Sequence, residues 1–191
     1  MMKILLVDAY DSFVYIIKNY IENLGLNIDI IRCDKIDVTI LKNYQAIVLG
    51  PGPGHPTECG YLDIIRYSEG KIPIFGICLG MQAIAEYYGV PVVPASSRQH
   101  GKISSIENDT KGCFRALPSV FNVTRYHSLV AERKAFNDEI PLVISASSIQ
   151  DGYVMGIRHK RYCIEGVQFH PESITTEHGK DIIHNFFLQA I

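Results

Sequence analysis

The stretch IPIFGICLGMQAIAEYYG, residues 72–89, contains the signals of a strand, a tight turn and a helix in immediate succession. Apolar residues over Ile72–Phe75 predict a buried strand, and the spacing over Met81–Tyr88 predicts a helix that ends at Gly89. Only the five residues Gly76–Gly80 remain for the turn between them. A strand that runs so abruptly into a helix is typical of parallel sheets covered by helices.

The chain upstream of this stretch repeats the alternation of strand and helix. Ser12 is the predicted N-cap of a helix that ends at Gly25, and a second helix is predicted after Gly60. Apolar strand signals occur at Ile4–Val7, Ile28–Ile31 and Ala46–Leu49. Repeated strand–helix–strand units predict right-handed crossovers and a parallel sheet with helices on both of its faces.

The pattern changes from about Val92 onward. Shorter strand-like runs follow, and a last helix is predicted over Lys180–Leu188. The runs are Val120–Tyr126, Leu142–Ser145, Val154–Arg158 and Tyr162–Phe169. Because no internal repeat or Ser/Gly-rich linker interrupts the chain, we predict one domain over residues 1–191. Its fold class is α/β, with three layers: a mostly parallel central sheet, helices on both faces, and a small antiparallel extension.

Composition and charge exclude several classes of protein. The chain has 18 Lys and Arg against 20 Asp and Glu, a net charge of −2, so we expect no nucleic-acid partner and no anionic membrane surface. The apolar run Ile4–Val7 meets Asp8 at once and is too short for a signal peptide or a membrane span, which predicts a soluble, cytoplasmic protein. The five cysteines are widely spaced without a C-x-x-C pair and indicate reduced thiols, of which one or two carry chemistry.

The turn Gly76-Ile77-Cys78-Leu79-Gly80 has the pattern of a nucleophile elbow with Cys in place of Ser. Small residues two before and two after the nucleophile are needed because the turn leaves no room for side chains there. Such a turn lifts the Cys78 sulfur to the carboxyl edge of the sheet, at a helix N-terminus that favours the thiolate. The alternative is a buried structural cysteine, which the two flanking glycines disfavour.

A nucleophilic cysteine needs a base, and the base needs a group that orients it. His170 ends the strand-like run Gly166–Phe169, and Glu172 follows two residues later, on the same side in extended geometry. We therefore predict Cys78 as nucleophile, His170 as base and Glu172 as the orienting carboxylate. His127 is a rival base that the sequence leaves open.

The loop Gly50-Pro51-Gly52-Pro53-Gly54 follows the third predicted strand and lacks the spacing of a phosphate-binding loop. Its prolines carry no N–H, so its glycines are the donors that it presents. Gly52 and the N–H of Leu79 are the predicted oxyanion hole. Gln82 lies four residues after Cys78 on the same helix face, where its amide can reach the site, although a solvated helix residue is equally compatible.

Together these motifs resemble the class I (triad-type) glutamine amidotransferases. The closest similarity is to the branch formed by the small subunits of anthranilate synthase and aminodeoxychorismate synthase. The stretches that carry the resemblance span nearly the whole chain and are Asp8–Phe13, Gly50–Gly54, Gly76–Gln82, Tyr126–Leu129 and Gly166–Ser173. The first stretch departs from the branch at Ala9, where Asn is usual.

The resemblance implies a substrate, a partner and site residues. It implies L-glutamine as substrate, a Cys78 thioester, and ammonia delivered to the large subunit of a chorismate-using synthase in a hetero-oligomer. Cys78, His170 and Glu172 would be catalytic, and no metal or organic cofactor is expected on this chain, whereas magnesium is expected on the synthase partner. The residues implied to line the glutamine pocket are Gly52, Pro53, Gly54, Gln82, Ser128 and Leu129.

Several functions remain open at this stage. A glutaminase subunit of anthranilate synthase, in tryptophan biosynthesis, is the first interpretation, and the small subunit of aminodeoxychorismate synthase, or one subunit shared by both, is the second. More distant alternatives are the glutaminase subunit of GMP synthetase, a cysteine hydrolase of other specificity, and a binding module without activity. Ser96–Lys102 and Arg158–Arg161 are candidate docking surfaces, for which a solvated loop is an equally good interpretation.

Overall fold

The computed structural model describes residues 2–96 and 100–190. The strands are β1 (Lys3–Asp8), β2 (Asn27–Arg32), β3 (Ala46–Leu49), β4 (Ile74–Ile77), β5 (Val92–Pro94), β6 (Lys102–Asn108), β7 (Val120–Arg125), β8 (Leu129–Ala131), β9 (Leu142–Ser148), β10 (Val154–His159) and β11 (Ile164–Val167). The α-helices are α1 (Val14–Glu22), α2 (Tyr61–Ser68), α3 (Leu79–Tyr87) and α4 (Gly179–Ala190). Short 3-10 helices occupy Cys33–Lys35, Val38–Asn43, Gly112–Phe114 and Arg133–Ala135.

Nine of these strands form one sheet in the order β2-β1-β3-β4-β11-β10-β9-β6-β7, and β5 and β8 form a second, two-stranded sheet. The first five strands of that order run parallel to one another. From β11 onward each strand is antiparallel to the next. The predicted α/β fold, with a mostly parallel central sheet and an antiparallel extension, is therefore confirmed.

The position of β11 is the feature that the strand pattern did not predict. The run Tyr162–Phe169 was grouped with the antiparallel extension, but its strand lies beside β4 and parallel to it. Because the two strands are parallel neighbours, the chain leaving β11 emerges at the same sheet edge as the turn after β4. Gly166 in β11 also lets helix α3 pack closely over this strand, since a Cβ atom there would lie 2.9 Å from Cγ of Met81.

Two apolar cores lie on opposite faces of the sheet because successive side chains of a strand point to opposite sides. In β1, Ile4 and Leu6 belong to the core that α1 and α4 cover, whereas Leu5 and Val7 belong to the core that α2 and α3 cover. All four side chains are fully buried. Burying one such side chain contributes about 1.5–3 kcal/mol, which makes these cores the main source of stability.

The start of α1 differs from the prediction at Ser12. The helix begins at Val14, and its N-cap residue, Phe13, makes no capping side-chain hydrogen bond. The cause is a turn formed by two aspartates: Asp8 accepts from the N–H of Asp11, and Asp11 accepts from the N–H of Phe13 at 2.7 Å. Ser12 lies inside this turn and is not a cap.

Two further observations concern partners. Among residues 2–96 and 100–190, no helix is long and apolar enough to cross a membrane. Of the candidate docking stretch Ser96–Lys102, residues 97–99 lie outside the described part of the chain. The other candidate stretch, Arg158–Arg161, lies at the end of β10 and in the turn that follows it.

Candidate active site

The turn between β4 and α3 has the backbone of a nucleophile elbow. Cys78 has φ 53° and ψ −101°, a left-handed conformation that costs a residue with a side chain about 1–3 kcal/mol. Close contacts leave room only for glycine at Gly76 and Gly80. A Cβ atom at Gly76 would lie 2.5 Å from the carbonyl carbon of Gly80, and a Cβ at Gly80 would lie 2.1 Å from the carbonyl oxygen of Leu49.

Strand pairing brings His170 and Glu172 to this turn. Val167 of β11 lies beside Ile77 of β4, and its carbonyl accepts the N–H of Cys78 at 2.8 Å. The chain then continues along the same edge to His170, whose N–H donates to the carbonyl of Thr124 at 3.1 Å. The predicted nucleophile and base therefore meet at the carboxyl edge of adjacent parallel strands.

Two of the three predicted catalytic side chains, His170 and Glu172, form a close pair beside the turn that carries Cys78. Nδ1 of His170 lies 2.6 Å from Oε1 of Glu172, and both side chains are almost fully buried. Burial acts to lower the pKa of His170, but hydrogen bonds and charge from Cys78 and Glu172 outweigh it and raise that pKa well above its usual value. An imidazole with a carboxylate behind it and a thiol in front can carry a proton between the thiol and a substrate.

Aromatic rings enclose the imidazole of His170. The rings of Phe13 and Tyr126 pack against it with centroid distances of 5.6 and 5.2 Å, both in edge-on geometry. Phe13 belongs to the turn that precedes α1, so the N-terminal motif contributes to the site through packing. This apolar wall strengthens the interaction between His170 and its charged partners, because it keeps water away from them.

A cavity of about 130 Å³ opens at Cys78. The residues that line it are Gly52, Pro53, Gly54, Cys78, Gln82, Tyr126, His127, Ser128 and Leu129. All the residues that the resemblance implied for a glutamine pocket are therefore in one place. A larger open groove of about 800 Å³ runs along β2, and none of the predicted site residues lines it.

Several elements supply the residues in and around the pocket. Gly52 packs closely against the end of β1, where a Cβ atom would lie 2.5 Å from Cβ of Ala9, and Gly54 has φ +84°. Leu79 is the first residue of α3, where backbone N–H groups have no partner within the helix. Ser128 is exposed and Leu129 opens β8, so the stretch Tyr126–Leu129 is mainly the connection from β7 to β8.

Gln82 is a buried residue of the pocket and not a solvated helix residue. Its side chain is only 3% exposed, and Nε2 donates to the carbonyl of Leu129 at 3.0 Å and to Oε1 of Gln168 at 3.1 Å. Gln168 in turn donates through Nε2 to Sγ of Cys78 at 3.5 Å. Gln168 lies within a motif recognised in the sequence, but no role was predicted for it. Its place immediately after a strand that ends at the site was the available signal.

His127 lines the cavity but is occupied by other partners. Its Nε2 accepts from Nε of Arg125 at 3.1 Å, and its Nδ1 bonds the carbonyl of Leu129 at 3.0 Å. Burial, together with the charge of Arg125, lowers the pKa of His127 to about 4. The ring is therefore neutral near pH 7 and has no free nitrogen, so the geometry favours His170 over His127 as the base.

The other four thiols lie in environments that disfavour the thiolate. Burial raises the pKa of Cys59 and of Cys163 to about 11, and that of Cys113 well above its usual value. Burial and the neighbouring charge of Asp34 also raise the pKa of Cys33. Cys78 differs from them by its place at the N-terminus of α3 and by its contact with His170.

This fold is that of the class-I glutamine amidotransferases: the model of that family matches residues 5–190, and the chain belongs to it. A solved structure from Thermoplasma acidophilum, described as a GMP synthase subunit, covers 100% of this chain and 94% of its own, with a TM-score of 0.86 and 30% identity.

Three of the curated relatives show the kinds of name that similar proteins carry. Anthranilate synthase component 2 of Cyanophora paradoxa is 43% identical over 96% of this chain and 97% of its own length. Aminodeoxychorismate synthase component 2 of Escherichia coli K12 is 44% identical over 96% and 98%. The multifunctional tryptophan biosynthesis protein of Phycomyces blakesleeanus is 44% identical over 97% of this chain, which spans only 24% of that protein's length.

Proposed function

We propose that this chain is the glutaminase subunit of an anthranilate synthase complex, which hydrolyses glutamine and supplies ammonia to a chorismate-using large subunit in tryptophan biosynthesis. The observation that carries the proposal is the His170–Glu172 pair, which the parallel strands β11 and β4 bring to the sheet edge where Cys78 opens a cavity lined by Gln82 and the Gly-Pro loop. Residues 1–191 form a single amidotransferase domain in this proposal, in line with the continuous nine-stranded sheet.

The proposed reaction has two halves. The Cys78 thiolate attacks the side-chain amide carbon of glutamine, and N–H groups of Gly52 and Leu79 stabilise the oxyanion that forms. His170, protonated and held by Glu172, gives its proton to the departing nitrogen, so that ammonia leaves and a glutamyl thioester remains. His170 then takes a proton from water, which attacks the thioester and releases glutamate and the Cys78 thiolate.

The product of the complex is the open part of this proposal. Aminodeoxychorismate synthase, in folate biosynthesis, is the second candidate because its component 2 in Escherichia coli is as similar to this chain as the anthranilate synthase relative is. A glutaminase shared by both synthases fits the same similarity. In either case the partner is a separate large subunit with its own magnesium, and we propose the cytoplasm as the site of action.

The test replaces the nucleophile in the assembled complex. Cys78→Ser should abolish synthesis from glutamine but spare synthesis from added ammonium salt, because only the thioester reaction needs the thiolate. Cys163→Ser is the matched control, since that half-buried thiol lies outside the cavity. Synthesis from glutamine by Cys78→Ser would overturn the proposal, and cleavage of peptides or esters in place of glutamine would indicate a different hydrolase. Chromatography of the aromatic product identifies the synthase.

A further inference from the structure

Gln168 is a fully buried polar residue that touches the predicted nucleophile. It follows β11 directly, as Cys78 follows β4, and the pairing of these two strands places the two residues side by side. Its backbone N–H donates to the carbonyl of Met155 at 3.0 Å, which fixes the main chain. Its side-chain Nε2 lies 3.5 Å from Sγ of Cys78. A buried amide in this position can donate a hydrogen bond to the sulfur only if its NH₂ group, and not its oxygen, faces Sγ of Cys78.

The neighbouring hydrogen bonds require that orientation. The carbonyl oxygen of Leu129 can only accept, so Gln82 must direct its NH₂ group toward it. The second N–H of that same group then donates to Gln168, which must present its oxygen in return. The NH₂ group of Gln168 is thereby left on the side of Cys78. The orientation of both amides follows from one carbonyl group.

The buried guanidinium of Arg125 anchors this chain of hydrogen bonds at its far end. Arg125, which is 1% exposed, bonds Asp151 at 2.8 Å through one nitrogen and His127 at 3.1 Å through another. Arginine only donates, so Nε2 of His127 must accept, and its Nδ1–H then donates to the carbonyl of Leu129 at 3.0 Å. In each hydrogen bond between Arg125 and Gln168 only one of the two partners can be the donor. The last donor, the NH₂ group of Gln168, faces the sulfur.

We propose that Gln168 is a catalytic residue that holds and stabilises the Cys78 sulfur through its amide N–H, with the Arg125–His127–Leu129–Gln82 chain keeping that N–H in place. This inference rests on the proposed role of Cys78 as nucleophile. The amide of Gln168 then donates to the sulfur from a position two residues before His170. The amide favours the thiolate both when it attacks glutamine and when it leaves the thioester, because a hydrogen bond to an ion is stronger than one to a neutral thiol.

The test compares the reactivity of Cys78 in Gln168→Met, which has a similar length but no donor, and in Gln168→Glu, which places an acceptor against the sulfur. The rate of iodoacetamide alkylation of Cys78 is followed by peptide mass spectrometry between pH 5 and pH 10. We expect the midpoint of the profile to rise by about one pH unit in Gln168→Met, a tenfold loss of rate at neutral pH, and by more in Gln168→Glu. The titratable side chains nearest the sulfur are His170, with Glu172 behind it, and, across the cavity, His127, whose pKa of about 4 lies below this range.

Activity and folding controls complete the experiment. In the complex, kcat for glutamine should fall about tenfold in Gln168→Met, with a smaller change in KM. Gln45→Glu is the matched control: this exposed side chain accepts the N–H of Lys3 through its oxygen, which the glutamate retains. If Gln168→Met fails to fold, Gln168→Asn keeps the buried amide, withdraws it from the sulfur by one methylene, and should shift the profile in the same direction.

Two outcomes separate this inference from the proposed function. An alkylation profile that stays at the wild-type midpoint in a folded Gln168 variant overturns the role of Gln168, while Cys78 remains the nucleophile. Glutamine hydrolysis that survives in Cys78→Ser overturns the proposed function itself. A raised midpoint with reduced kcat supports the role of Gln168, because an effect on packing alone would leave the pH dependence of alkylation where it was.

Discussion

Replacing Glu172 by glutamine tests whether this carboxylate keeps His170 in its working state. Oε1 of Glu172 lies 2.6 Å from Nδ1 of His170, and the carboxylate is one of two partners that raise the pKa of His170. Glutamine has the same shape and retains an oxygen that can accept the hydrogen bond. It removes only the negative charge that stabilises the imidazolium.

The magnitude follows from the hydrogen bond that changes. A hydrogen bond to a charged group contributes roughly 1.5–3 kcal/mol when its partner is buried. Since about 1.4 kcal/mol corresponds to a factor of ten in rate, kcat for glutamine should fall roughly 10- to 200-fold in Glu172→Gln. Oε2 of Glu172 has no hydrogen-bond partner among the described residues. An amide NH₂ in its place should therefore cost about 1–3 kcal/mol of stability, lowering Tm by roughly 2–12 °C.

The assay is steady-state glutamate release by the complex with its chorismate-using partner, recorded from pH 6 to pH 9. The limb of the profile that reports His170 should move to lower pH in Glu172→Gln, because its imidazolium has lost a charged partner. Glu177→Gln is the control, since Oε2 of Glu177 accepts the N–H of Asn122 at 2.6 Å without contacting the imidazole of His170. A Glu172→Gln enzyme that retains half of the wild-type kcat, with an unmoved profile, would refute the reasoning.

Three further predictions concern the elbow, the neutral histidine and the other thiols. Gly80→Ala should lower the free energy of unfolding by about 1–3 kcal/mol, because the new Cβ atom would lie 2.1 Å from the carbonyl oxygen of Leu49. Thermal melts measure this, and an unchanged Tm would contradict the close approach of the turn to β3. The pKa of His127, about 4 in the fold, lies below its unfolded value, so stability present above pH 6.5 should fall by up to roughly 3 kcal/mol as pH drops to 4. Denaturant titrations at several pH values should show that His127→Gln loses this pH dependence. An equal change of the unfolding free energy with pH in the variant and the wild type would contradict the prediction. Brief alkylation should label Cys78 before the thiols with raised pKa, namely Cys33, Cys59, Cys113 and Cys163, and earlier label on any of these would reject Cys78 as the reactive thiol.

The elements that were predicted well are those whose signals are local. The strands β1, β3 and β4 and the helices α2 and α3 appear where apolar spacing and terminal glycines placed them. The N-cap of α1 was predicted wrongly because two aspartates compete for the N–H groups ahead of the helix, and spacing alone does not show which side chain reaches them. The strands β5, β6 and β8 were not predicted, since their pairing partners lie elsewhere in the chain.

The residues of the candidate site also fall into two groups, those that local sequence motifs indicate and those that they do not. Cys78, His170 and Glu172 could be predicted because each sits in a short motif with a steric or hydrogen-bonding purpose. Gln168 and Arg125 could not be assigned roles, since nothing in their neighbours shows what their side chains contact. The choice between His170 and His127 as base also needed the structure, because both are histidines at strand ends and only their partners distinguish them.

What the amino-acid sequence determined by itself is the backbone chemistry of the elbow and of the loop Gly50–Gly54. Steric contacts among a few consecutive residues determine the conformation of turns this tight, so glycine and proline in the sequence indicate that conformation directly. Only the tertiary structure decided which side chains surround Cys78. Gln168 lies 90 residues away in sequence and reaches the sulfur because β11 lies parallel to β4. That strand order depends on how the whole sheet buries its apolar faces and pairs its backbone groups, which no local segment encodes.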